Sequence, residues 1–124
     1  MYENGEITER IIQAIIKVHK VLGPGFLESV YRNALVLELS DCGLSVESEF
    51  PITISYGGRV VGQHQLDLVV EKSVVVEINT VEDLAQTHYA RLRSYLRASN
   101  IPIGLLVNFA KEKADFRRVE LNSN

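Results

Sequence analysis

Apolar residues return at three- and four-residue steps along the first part of the chain. Ile7, Ile11, Ile15, Val18 and Leu22 therefore share one face of a helix. Gly23-Pro24-Gly25 ends it, because glycine tolerates a left-handed exit and proline cannot continue the hydrogen-bond ladder. A second helix is expected from about Phe26 to Ser40, with Leu27, Val30, Ala34 and Leu37 as its stripe and Gly43 just past its end. The period then drops to two. Pro51 to Tyr56 alternates as a strand does, and Gly57-Gly58 signals a tight hairpin. Strands are expected over about Arg59 to Val70 and over Val74 to Asn79. A third helix follows over about Val81 to Ala98, with Leu84, His88, Arg91, Leu92, Tyr95 and Leu96 on one broad side. Ile101 to Val107 reads as a last buried strand, and the residues from about 109 as a basic, solvated tail. The order is helix, helix, three strands, helix, strand, which predicts an α/β sandwich around a mixed sheet in one domain over 1–124.

The hairpin between the second and third strands carries the most information. If its loop is Glu71-Lys72-Ser73, Val70 pairs with Val74 and Asp67 lies directly across from Glu77. Leu66, Leu68 and Val70 then share a wholly apolar face with Val74, Val76 and Ile78. Gln65, Asp67, Val69, Val75, Glu77 and Asn79 take the other face. A one-residue slip would separate Asp67 from Glu77 and mix polar with apolar side chains, so the pattern selects this register. His64 falls on the apolar parity and reads as peripheral. Like charges facing each other on a sheet repel. A raised pKa, a neighbouring cation or a bound metal ion has to relieve them, unless that face is simply wet. Two carboxylates with a backbone carbonyl and waters suit Mg²⁺ or Mn²⁺, which prefer oxygen ligands.

Composition removes several classes. The 124 residues are 46% hydrophobic and 23% charged, the mix of a globular chain that can bury a core without staples. The single cysteine, Cys42, allows no internal disulfide and lacks an evident base partner. No apolar run approaches the roughly 20 residues of a membrane span, and the opening Met1-Tyr2-Glu3-Asn4-Gly5-Glu6 is acidic where a signal peptide would be basic. A cytoplasmic protein with no membrane partner is expected. There is no His/Cys cluster for zinc, and no glycine loop with lysine to cradle phosphates. The net charge of −3 does not describe a generally basic nucleic-acid binder, but its distribution is uneven. Residues 1–90 hold 6 Lys/Arg against 13 Asp/Glu, whereas residues 91–124 hold 7 against 3. Such a contrast focuses an anionic ligand toward one side of a molecule, or else reflects a solvated helix face and tail.

Gly25-Phe26-Leu27-Glu28-Ser29-Val30-Tyr31 resembles the G-x-x-E-x-x-Y signature of a group of small prokaryotic proteins. The likeness continues through Leu66-Asp67-Leu68-Val69-Val70-Glu71, Val76-Glu77-Ile78, His88, Tyr95-Leu96 and the stretch from Gly104 to Phe109. It keeps its order from about residue 7 to residue 118. That GxxExxY family is placed in the PD-(D/E)XK nuclease superfamily, whose core is a helix, three strands, a helix and a strand. The resemblance implies that Asp67 and Glu77 hold Mg²⁺ or Mn²⁺, with the carbonyl of Ile78 as a further ligand and Glu28 as an accessory acid. It implies hydrolysis of phosphodiesters in DNA or RNA. A homodimer is the expected assembly if both strands of a duplex are cut.

Two positions depart from the family. Its E-x-K triplet is Glu77-Ile78-Asn79 here, so an amide without positive charge stands at the lysine position. Its H-x-x-Q is His88-Tyr89-Ala90-Arg91, and Arg91 is a good bidentate phosphate ligand. Asn79 is thus the altered catalytic position, and Tyr31, His88, Arg91 and Tyr95 are the expected substrate contacts. Each has a plainer account. Glu28 complements the free N–H groups of a helix start, Tyr31 is a core residue with a polar tip, and His88 is a structural helix residue. Loss of one lysine also fits a catalytically silent member that binds nucleic acid or a protein.

Overall fold

The computed structural model describes residues 5–121. The acidic opening Met1–Asn4 and the last three residues of the expected tail lie outside the described residues. In chain order the elements are α1 (Gly5–Leu22), α2 (Glu28–Asp41), β1 (Val46–Tyr56), β2 (Arg59–Val70), β3 (Val74–Asn79), α3 (Gln86–Ser99), β4 (Ile103–Asn108) and β5 (Asp115–Glu120). The strands form one sheet in the order β1-β2-β3-β4-β5. Only β3 and β4 run parallel, with α3 as the crossover that parallel neighbours require. No described helix is long and apolar enough to cross a membrane.

Two apolar layers enclose the sheet. On one face Ile11, Ala14, Ile15 and Val18 of α1 and Tyr31, Leu35 and Leu39 of α2 pack on Leu68, Val70, Val74, Val76, Ile78, Leu105 and Val107. On the other, Leu92 and Leu96 of α3 cover Ile52, Leu66, Val69, Val75, Leu106 and Val119. Gly104 lets α3 come close, since a Cβ there would sit 3.1 Å from both Cδ atoms of Leu92.

The α1 stripe and the β2–β3 register are as the pattern predicts, with Val70 facing Val74 and Leu68 facing Val76. Six expectations are corrected. The stripe of α2 is Tyr31, Leu35 and Leu39, while Leu27 and Leu37 are 77% and 67% exposed. Apolar residues lie on every side of this helix, so periodicity could not choose, and the stacking of Tyr31 on Phe109 at 4.3 Å decides. Glu28 is the first helical residue, not the third, because Leu27 takes the N-cap position. β1 begins at Val46, well before Pro51, and α3 begins at Gln86 rather than near Val81. Residues 80–85 instead form an irregular loop that bends at Glu82 and Asp83, tied down at Val81 by the buried Asn108 side chain, which bonds Val81 N–H, Val81 C=O and Ala110 N–H.

The expected tail folds as β5 along the edge of β4. Its cations are occupied: Arg117 pairs with Asp115, Arg118 with Glu120, and Lys111, just before it, with Asp83. Finally, Leu66 does not share a face with Leu68. It packs under α3 while Leu68 packs under α1 and α2, so the alternation of β2 breaks at Asp67. Beside the break, Glu49 of β1 has a left-handed φ of 52°, and the β2–β3 ladder ends at Leu68–Val76. This break turns His64, two residues before Leu66, onto the α3 side.

Candidate active site

Where the β2–β3 ladder stops, two carboxylates take over its hydrogen bonds. Asp67 N–H donates to Glu77 Oε2 at 2.7 Å, and Ile78 N–H donates to Asp67 Oδ2 at 2.8 Å. These two bonds lock the pair across the gap in the ladder. Each carboxylate keeps one oxygen that receives no backbone bond. Asp67 Oδ1 faces Arg32 Nη1 of α2 at 3.9 Å, and Arg32 is anchored by Glu49 at 3.3 Å. Glu77 Oε1 faces His64 Nε2, also at 3.9 Å. The His64 ring stacks on Tyr95 with centroids 4.0 Å apart.

The electrostatics follow from this crowding. Burial pushes the Asp67 carboxyl up, against the bond from Ile78 and the charge of Arg32. Glu77, only 14% exposed, is pushed up from 4.5 to about 8, first by burial and then by the charge of Asp67, with Glu28 adding to the rise and Arg91 opposing it. The repulsion belongs to the pair, since the charge on either carboxyl raises the proton affinity of the other. Burial holds His64 below its ordinary value, so the imidazole is neutral at pH 7. Burial and the charge of Glu77 raise Tyr95.

Beside Glu77 a cleft of about 20 Å³, room for one water, is lined by Asn79, His88, Arg91, Leu92, Tyr95 and Leu106. Asn79 Nδ2 donates to Val107 C=O at 3.2 Å, and His88 Nδ1 accepts Ala85 N–H at 2.8 Å at the start of α3. The fold thus brings Asp67, Glu77, Asn79, His88, Arg91 and Tyr95 to one place, with exposed Glu28 near enough to raise Glu77. Tyr31 is not among them. It is fully buried, donates to Gly23 C=O at 2.6 Å and accepts Phe26 N–H, so it locks the α1–α2 turn rather than touching substrate. A larger concavity of about 790 Å³, between α1 and β5, is mainly apolar and lies away from the carboxylates.

His64, Arg32 and Glu49 were not among the expected site residues. Arg32 carried a signal, since it follows Glu28 by four residues and shares its helix face. His64 carried none, because its placement depends on the break in β2.

The donors fit a hard divalent ion. Among the described residues no three His, Cys, Asp or Glu side chains gather as a metal cluster, so the protein offers two carboxylates and backbone oxygen, leaving positions for water. Two half-buried acids with raised proton affinity are also a site in need of positive charge.

The profile of the PD-(D/E)XK nuclease superfamily matches residues 5–119. The chain belongs to that superfamily. No curated protein matches the sequence significantly. Among solved structures, the crystal structure of SSO0001 superposes with a TM-score of 0.60 at 21% identity, over 98% of this chain and 60% of that one. This chain therefore spans less than two thirds of that protein. An alkaline exonuclease from Laribacter hongkongensis superposes at 0.56 with 10% identity, over 98% of this chain and 73% of its own. The same exonuclease in complex with dAMP gives 0.52 at 10% identity, over 91% and 81% of the two chains. At these identities the likenesses establish the shared α/β fold with its mixed sheet.

Proposed function

We propose that this protein is a metal-dependent nuclease-like enzyme that hydrolyses phosphodiester bonds in DNA or RNA. The observation that carries the reading is the opposed pair Asp67–Glu77, bonded across the gap in a hairpin of a nuclease-superfamily fold. Asp67, Glu77 and the carbonyl of Ile78 would hold Mg²⁺ or Mn²⁺. When bound, such an ion supplies an activated water and stabilises charge on the phosphate. Glu77 gives up its proton to make that site, which the about 8 of the free carboxyl sets in the physiological range. Arg91, exposed on α3 beside the cleft, brings the phosphate contact that the neutral Asn79 amide lacks. Asn79 orients polar groups at the altered position, Glu28 is the accessory acid, and His88 and Tyr95 flank the substrate. Loss of the lysine charge attenuates turnover.

A second reading, a silent member that only binds nucleic acid, is favoured by that same neutral Asn79. Cleavage of plasmid, single-stranded DNA and RNA with Mg²⁺ or Mn²⁺ separates the two, using wild type, Glu77→Ala and Asn79→Lys. Wild-type cleavage lost in Glu77→Ala supports the enzyme. An inert wild type with active Asn79→Lys marks a silenced nuclease, and inertness of all three on every substrate refutes the enzyme reading.

A further inference from the structure

The carboxylate of Glu77 is fixed to the backbone at one oxygen only, through Asp67 N–H. A group held at one point can turn about it, and a metal-holding oxygen has to be held still. Asp67 has its second restraint in Arg32, itself anchored by Glu49. For Glu77 the corresponding group is His64. Its Nε2 is buried, has no hydrogen-bond partner, and faces Glu77 Oε1 at 3.9 Å. Buried polar atoms normally have partners, and a small shift of either side chain closes this one. The ring cannot drift off, because Tyr95 stacks on it with an 18° interplanar angle. Charges of Asp67 and Arg91 also face the ring. Tyr95 is then a brace for His64 as well as a wall of the cleft.

We infer that His64, clamped by Tyr95, is a positioning residue that holds the free oxygen of Glu77 in place. This rests on the proposal that Glu77 holds a divalent ion. The test uses the full chain as wild type, His64→Phe, which keeps a ring for Tyr95 but deletes the nitrogen, and His64→Gln, which restores a nitrogen at comparable reach. Crystal structures without added metal report the Glu77 carboxylate, and calorimetric titration with Mn²⁺ alone reports the site. In His64→Phe the carboxylate leaves its bond to Asp67 N–H or takes a second rotamer. Mn²⁺ affinity falls about 10–100-fold, the usual effect of losing such a support, and kcat falls while KM for nucleic acid holds. His64→Gln recovers most of the affinity. Tyr95→Leu, which frees the ring, lowers affinity in the same direction and serves if His64→Phe does not fold. An unmoved Glu77 with Mn²⁺ affinity within about twofold of wild type in His64→Phe, or in Tyr95→Leu if that variant has to serve, overturns the inference. If wild type neither binds Mn²⁺ nor cleaves, the proposed function falls. The position of Glu77 in the metal-free crystals then still decides the role of His64.

Discussion

Replacing Glu77 by Gln removes a charge that the fold resists. Its carboxyl ordinarily titrates at 4.5 and is pushed up to about 8 in the native chain. The folded protein therefore binds the proton more tightly than the unfolded one. The stability this brings is fully present below about pH 4.5 and is lost as pH rises through 8. At 1.36 kcal/mol per pH unit the loss is at most about 5 kcal/mol. Gln accepts Asp67 N–H through a neutral bond, as the protonated Glu77 carboxyl does at low pH, so that bond does not separate the two proteins there. Urea unfolding of wild type and Glu77→Gln without divalent ions should thus coincide near pH 5. By pH 9 the variant should be more stable by about 2–4 kcal/mol. It should also lose cleavage, the trade expected where a site stores unfavourable charge. A stability difference that stays constant from pH 5 to pH 9 would refute the argument, because it would place Glu77 in an environment that does not penalise its charge.

Three further outcomes test the scaffold under the site. Tyr31→Phe leaves Gly23 C=O and Phe26 N–H without their shared partner and should cost about 1–3 kcal/mol in urea unfolding, with cleavage preserved. Asn108→Ala removes two bonds that pin Val81 and a third to Ala110 N–H and should cost about 2–4 kcal/mol, with faster hydrogen exchange at Val81 and Ala110. Gly104→Ala pushes a methyl against Leu92 and Leu96 and should cost about 1–3 kcal/mol by thermal unfolding.

The carboxylate pair was legible in the sequence because strand alternation leaves one register for Val70 against Val74, and that register puts Asp67 opposite Glu77. The surroundings of the pair were less so. His64 reaches the site only because β2 changes face at Asp67, and nothing in Gln63-His64-Gln65 marks that change. The buried side of α2 depends on a ring stack with Phe109, nearly eighty residues away along the chain. β5 escaped notice because Asp115–Glu120 is an edge strand with charges on both faces and only Val119 buried, so it carries no alternation. Tyr31 belongs to the same lesson. The signature that contains it reads as a site motif, yet its hydroxyl serves the turn before α2, and only Glu28 of that motif bears on Glu77.

On the function proposed above, the hairpin carboxylates make a divalent-metal site. Calorimetric titration with Mn²⁺ at pH 8, wild type beside Asp67→Ala, tests it most directly. One site per chain in wild type, absent in Asp67→Ala, and affinity that rises from pH 6 to pH 8 as Glu77 loses its proton are the predicted results. Equal binding in both proteins, or none in wild type, would contradict it.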